Sequence, residues 1–149
     1  MKPVVQSLVL ADRVYQDVTG KKIIAGTFNR VLLPSSKHCM RKEELPSGET
    51  QTFAAGGMHG GSPYAYISLT DVVDGTKLTL QFINLGKNIV LLELAMVVNI
   101  KDRLETVEIV APLPPLPITE PGTYALEVVC EGEILRSHRI IAEQLPEQE

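Results

Sequence analysis

The fold of this chain is decided by residues 64–100, YAYISLTDVVDGTKLTLQFINLGKNIVLLELAMVVNI. Apolar and polar side chains alternate on both sides of Asp74-Gly75, a dipeptide favoured in two-residue hairpin turns because both of its residues adopt positive φ. The alternation and the turn agree on one register, which a slip of one residue would destroy. This register predicts a hairpin that pairs Leu69 with Leu80 and Ile67 with Phe82 on an apolar face, and Ser68 with Gln81 and Thr70 with Thr79 on a polar face.

The third predicted strand, residues 89–100, is apolar on both of its faces, with Glu93 as the main exception. A strand covered on one face alternates, so this strand either lies deep in the fold or turns its second face to a partner. Its β-branched residues favour a strand over a helix. Because soluble monomers rarely expose large apolar patches, we expect a homo-oligomer, most simply a two-fold dimer. The predicted partner contacts are Ile89, Leu91, Ala95 and Val97.

Length and charge bound what the chain can be. Its 149 residues suit a single domain, which can bury a core without disulfides or metal. The net charge is −4 and the basic residues are scattered, so we expect no nucleic-acid partner. No run approaches the roughly 20 apolar residues that span a bilayer, and Gln6, Asp12 and Arg13 interrupt any signal-peptide core. The sequence therefore predicts a cytoplasmic protein without membrane contact.

The N-terminal segment predicts a first hairpin, in which residues 4–14 and 22–33 pair around a turn at 17–21. Its motifs, together with two later segments, are Leu10-Ala11-Asp12, Gly20-Lys21, residues 24–31 (IAGTFNRV), residues 121–124 (PGTY) and residues 132–135 (GEIL). As a set they resemble an uncharacterised family of small bacterial β-sandwich proteins, whose pattern runs from Leu-Ala-Asp through Gly-Lys to Ile-x-Gly-x-Phe. The resemblance covers most of the chain outside residues 34–61, and it implies a fold and no activity.

Residues 34–62 are rich in glycine, serine and proline. We expect a short edge strand at residues 51–54 and a mobile loop elsewhere, which carries whatever recognition the protein performs. The loop holds imidazole and sulfur side chains of the kind that copper(I) and zinc favour, but their spacing matches no closed site. We therefore predict no metal and no cofactor. The side chains considered as metal ligands are His38, Cys39 and His59, with Met40 and Met58 beside them.

The C-terminal third predicts three further strands and a frayed tail at residues 144–149. Between the strands at 104–111 and 124–130 lies a proline-rich segment, residues 112–117, which is interpreted as a crossing between two sheets; a PxxP ligand is the alternative. The last hairpin turns at Glu131-Gly132 and sets Glu127 opposite Arg136 unless Gly132 lies in a bulge. Cys130 continues the apolar alternation of its strand and is expected to pack as a small hydrophobe.

These elements predict an all-β protein, an antiparallel β-sandwich of about eight strands with Ig-like or jelly-roll topology. No titratable groups stand at catalytic spacing, so we expect a non-enzymatic binding or assembly module, which leaves room for an unknown protein partner. The alternative is a sandwich that binds a small molecule or carbohydrate, with His59, Tyr64 and Tyr66 at one rim. A ligand-binding module needs a concave pocket, whereas an assembly module needs a flat apolar patch.

Overall fold

The computed structural model describes residues 2–33, 40–44, 50–54 and 62–145. This part of the chain contains strands and no helix, which confirms the predicted all-β class. The strands are β1 (Val4–Gln16), β2 (Lys22–Thr27), β3 (Arg30–Leu33), β4 (Met40–Glu44), β5 (Thr50–Ala54), β6 (Tyr64–Thr70), β7 (Thr76–Asn84), β8 (Ile89–Val98), β9 (Val107–Pro112), β10 (Gly122–Cys130) and β11 (Glu133–Gln144).

Nine of these strands form the two sheets of a β-sandwich. The four-stranded sheet has the order β2-β1-β6-β9, and the five-stranded sheet has the order β3-β11-β10-β7-β8. Neighbouring strands are antiparallel except β3 and β11, which are parallel, so the five-stranded sheet is mixed. The remaining strands, β4 and β5, pair with each other. Strand β5 matches the short strand predicted at residues 51–54, whereas β4 was not predicted.

The predicted hairpin around Asp74-Gly75 is wrong. Strand β6 pairs with β1 and β9, whereas β7 pairs with β8 and β10, so the two strands lie in different sheets. The turn itself is present, with Gly75 at φ 83° and the Thr76 amide donating to the Val73 carbonyl at 3.0 Å. Alternation identifies the buried face of a strand and says nothing of its neighbour. All four predicted apolar partners are buried, but they meet across the core from opposite sheets.

The first hairpin is confirmed for β1 and β2 and then departs from the prediction. The chain leaves the four-stranded sheet at Phe28 and Asn29, and β3 continues alongside β11 in the other sheet. Before this crossing, Gly26 lies beside Asp12 with φ 76°, and a Cβ at Gly26 would lie 2.6 Å from Asp12 Oδ2. Only glycine fits this backbone conformation and this contact. The Leu-Ala-Asp and Ile-x-Gly-x-Phe motifs thus meet in space.

The C-terminal strands follow their predicted order with one shift of register. Residues 113–121 cross from β9 in one sheet to β10 in the other, and Leu113 and Leu116 are buried in the core, as expected of a crossing rather than a free ligand segment. Strand β11 turns back at Glu131-Gly132, but a bulge beside Val128 sets Arg136 opposite Val128 instead of Glu127. The frayed tail was predicted to start at residue 144, but β11 extends to Gln144 and the Leu145 amide still donates to the Leu33 carbonyl at 2.9 Å.

Candidate interaction surface

Strand β8 forms one outer edge of the five-stranded sheet. Its only strand neighbour among the described residues is β7, to which it pairs antiparallel from Ile89 to Val98. Alternate backbone amides and carbonyls of an edge strand point away from its single neighbour. The strand therefore presents a row of backbone hydrogen-bonding groups along its second side.

The side chains of β8 leave a large apolar area in contact with solvent. The strand contains no proline and a single charged residue, Glu93. All four predicted contact residues are exposed. The exposed fractions of its large apolar side chains are 49% for Ile89, 50% for Val90, 36% for Leu91 and 56% for Val97. We call the exposed set Ile89, Val90, Leu91, Glu93, Ala95 and Val97 the β8 edge.

A bulge in β8 explains why Val90 belongs to this surface although strict alternation placed it on the other face. Phe82 pairs with Leu92 and Ile83 pairs with Val90, so Leu91 is the extra residue. A bulge of this kind changes which side chains share a face. Nothing in the residue types of 89–92 marks the bulge, and sequence reasoning consequently missed Val90.

The inward face of β8 is only half covered. Leu92, Leu94 and Met96 pack against the buried core but remain partly exposed, whereas their neighbours Phe82, Leu80 and Leu78 on β7 are buried. A strand with a neighbour on one side only cannot cover its side chains from both directions. The β8 edge therefore exposes apolar atoms on both faces of the sheet.

The single charged residue of β8, Glu93, lies near the middle of the strand, beside a glutamine that is hydrogen-bonded to another residue. Glu93 is opposite Gln81 on β7, and Gln81 is opposite Glu127 on β10. The Gln81 side-chain amide donates to Glu127 Oε1 at 2.9 Å. Glu93 is exposed. The middle of the β8 edge is thus polar, and its two ends are apolar.

The other outer strands of the two sheets are poorer edges. Strand β3 has four residues and carries an ion pair between Arg30 and Glu143 of its neighbour. Strand β2 has six residues and contains Gly26 at φ 76°, and β9 has six residues and ends at Pro112, which has no backbone N–H. Strand β8, with ten residues, is the longest of the four.

The two tyrosines predicted at a ligand rim lie on the outward face of the four-stranded sheet. Tyr64 stands between Ala11 and Pro112, and Tyr66 stands between Val9 and Val110. The Tyr66 hydroxyl donates to the Glu108 carboxylate, and partial burial, together with this bond, raises the pKa of Tyr66. His59 lies outside the described residues, so the structure brings together two of the three predicted rim residues, side by side on one strand.

Three depressions lined by described residues lie away from both tyrosines. One of about 300 Å³ is bordered by Arg139, Ile141 and the Arg30–Glu143 pair, and another of about 370 Å³ lies between residues 75–77 and 130–131. The third, of about 140 Å³, lies beside His138, whose Nε2 is 2.9 Å from the Phe28 carbonyl oxygen. The second depression is bordered by Lys77, Cys130 and Glu131, but burial raises the pKa of the Cys130 thiol and so disfavours the thiolate that a nucleophile requires.

The sulfur and imidazole side chains divide between the described and undescribed parts of the chain. Cys130 is buried in the core as predicted, and burial raises the pKa of its thiol. His38, Cys39 and His59 lie outside the described residues. The described part of the predicted loop consists of β4, β5 and residue 62, and the end of the predicted tail, residues 146–149, is also outside the described ranges. Among the described residues, no group of three or more His, Cys, Asp or Glu could hold a metal ion.

The chain matches no protein-family model and no curated protein. No helix in the described ranges has the length and apolar character needed to cross a membrane.

Proposed function

We propose that this protein is a non-enzymatic assembly module that associates with itself through the β8 edge. The observation that carries the proposal is a ten-residue edge strand with four large apolar side chains between one-third and three-fifths exposed. Native proteins normally protect such a strand with charges, prolines, a short length or a covering segment. Strand β8 has one charge, no proline and the greatest length among the outer strands.

The exposed groups of β8 suit a protein partner better than a small ligand. Covering exposed apolar side chains removes them from water at about 25 cal/mol per Å² of area. Pairing a new strand to β8 at the same time satisfies the row of backbone amides and carbonyls that no described strand pairs. A small molecule would cover part of the apolar area but would leave most of the backbone row open. A strand of a second protein chain satisfies both requirements.

The proposal is tested by the mass of the protein in solution. Light scattering should give twice the chain mass of 16.3 kDa for the wild-type protein. The variant Val97→Glu places a charge in the β8 edge and should give the chain mass, with unchanged circular dichroism. Leu104→Glu is the matched control, because Leu104 is also aliphatic and 86% exposed but lies outside β8. This control should remain dimeric.

A monomeric wild-type protein at high concentration would overturn the proposal. The same holds if Val97→Glu folds normally and keeps the dimer mass, because association would then use another surface. Loss of the dimer in both variants would point to a general effect of added charge and would also count against the β8 edge.

A second candidate function has one observation in its favour. Tyr64 and Tyr66 lie side by side on the outward face of β6, about 7 Å apart as alternate residues of a strand. Aromatic rings in this arrangement can stack against the apolar face of a sugar. This face is the outer surface of a sheet, with Pro112 and Val110 beside the tyrosines, and the polar side chains that interact with Tyr66 are Glu108 and Ser68. A ligand site normally requires a concave pocket, so we prefer the assembly function.

A further inference from the structure

Resting on the proposed function, we infer that the strand which covers β8 is β8 of a second copy, related by a two-fold axis that passes Leu94. The two β8 strands would run antiparallel, edge to edge. The two five-stranded sheets would then form one continuous sheet of ten strands. This assigns both the partner segment and the register.

The symmetry limits the possible registers. A two-fold axis perpendicular to the sheet keeps outward side chains facing outward in both copies. From Leu92 onward, the odd-numbered residues of β8 point outward and the even-numbered residues point toward the core. Each residue must therefore face a residue of the same parity, and the axis must pass through a residue rather than between two residues.

The charge and the exposed side chains select among the three central registers. With Glu93 on the axis, two carboxylates would face each other directly, which is unfavourable. With Ala95 on the axis, Glu93 would face Val97, and its carboxylate would lie against a large apolar side chain. With Leu94 on the axis, Glu93 faces Ala95 and Leu91 faces Val97 of the partner. This register keeps the two carboxylates apart, sets Glu93 against the small side chain of Ala95 rather than against Val97, and still brings apolar ends of the strand together.

The same geometry predicts that assembly stops at two copies. Pairing of β8 with a different edge would leave one β8 open and would continue into a filament. The alternative edges are blunted by the short length of β3, by Gly26 in β2 and by Pro112 in β9. Pairing of β8 with itself uses up the open strand of both copies. A closed dimer follows.

The register is tested by disulfide cross-linking between exposed positions of β8, in a Cys39→Ser background. A disulfide joins residues whose Cα atoms are up to about 6.8 Å apart, which includes directly opposed residues but excludes diagonal neighbours at about 7–8 Å. Glu93→Cys and Ala95→Cys are prepared separately, one of them with a tag that changes its mass, and are mixed before mild oxidation. Leu104→Cys measures cross-linking by random collision.

The proposed register predicts a mixed disulfide dimer of Glu93→Cys with Ala95→Cys and only the collision level for either variant alone. Cross-linking of Ala95→Cys with itself would place Ala95 on the axis, and cross-linking of Glu93→Cys with itself would place Glu93 there; either result overturns the register. If all combinations stay at the collision level while light scattering shows a dimer, the proposed register is refuted, and the mass of the Val97→Glu variant then decides whether association uses β8 at all. Masses above the dimer would refute closure. A monomeric wild-type protein would instead refute the proposed function.

Discussion

Strands β8 and β10 flank the same strand, β7, yet they have opposite surroundings. Both are rich in apolar residues, and both carry one glutamate that lies opposite Gln81. In β10 the glutamate, Glu127, is only 4% exposed and accepts a hydrogen bond from Gln81. In β8 the glutamate, Glu93, is exposed. The difference arises because β10 has a second neighbour, β11, whereas β8 has none among the described strands.

The comparison teaches that apolar content does not identify a central strand. Strand β10 buries its two faces with help from β7 and β11, and its inward residues Tyr124, Leu126 and Val128 belong to the core. Tyr124 stacks on Phe82 with ring centroids 5.6 Å apart. Strand β8 has a comparable sequence, but its apolar groups exceed what one neighbour can cover. This excess is the physical basis of the proposed association.

The largest expected contrast is in the cost of truncating a leucine. Leu126→Ala in β10 should lower the free energy of unfolding by about 2–5 kcal/mol, because it leaves a cavity in the core. Leu91→Ala in β8 should change it by no more than about 0.5 kcal/mol. Both should be measured by urea denaturation in the Val97→Glu background, so that association does not contribute. Equal losses would break the distinction between the two strands.

A smaller contrast is expected for the two glutamates opposite Gln81. Glu127→Ala removes the acceptor of the Gln81 amide and should cost about 1–3 kcal/mol, nearer the lower value because Gln81 is half-buried and water can reach it. Glu93→Ala should stay within about 0.5 kcal/mol in the same monomeric background. Urea denaturation again gives the measurement. A cost for Glu93→Ala as large as that of Glu127→Ala would show that β8 is covered in the monomer.

The smallest expected effect is on the dimer alone. Glu93→Gln removes the single charge of β8 without a change of shape, and we expect a modest decrease in the dimer dissociation constant, about twofold to fivefold, because a charge next to the interface costs desolvation. Sedimentation at a series of concentrations measures this constant. The matched control is Glu105→Gln, which removes an exposed charge outside β8. Equal changes in both variants would assign the effect to net charge.

Local sequence signals predicted the strands and turns of this fold more reliably than they predicted which strands pair with each other. Asp74-Gly75 and Glu131-Gly132 both mark turns, and Gly75, Glu131 and Gly132 adopt the positive φ that such turns require. The second of these turns joins paired strands, and the first joins strands of different sheets. A turn and an alternating pattern look the same in both cases. The length and composition of the turn therefore could not distinguish a hairpin from a connection between two sheets.

The sequence indicated the excess of apolar side chains on β8 but not the position of this strand at the edge of a sheet. The absence of alternation in residues 89–98 indicated apolar groups beyond the needs of one covered face, and all four predicted contact residues are exposed. The position of β8 at an edge and the addition of Val90 through the bulge at Leu91 depend on pairing with Phe82 and Ile83. Pairing between strands distant in the chain leaves no trace in local composition.

The sequence by itself determined the all-β class, the turns and the inward face of most strands, because these depend on the residue's own shape and on a period of two along the chain. The tertiary structure alone decided which sheet each strand joins, where bulges shift the register and which strand remains at an edge. These properties depend on backbone hydrogen bonds, which every residue except proline can form with any neighbour. The same apolar strand is thus core when it has two neighbours, as in β10, and an interaction surface when it has one, as in β8.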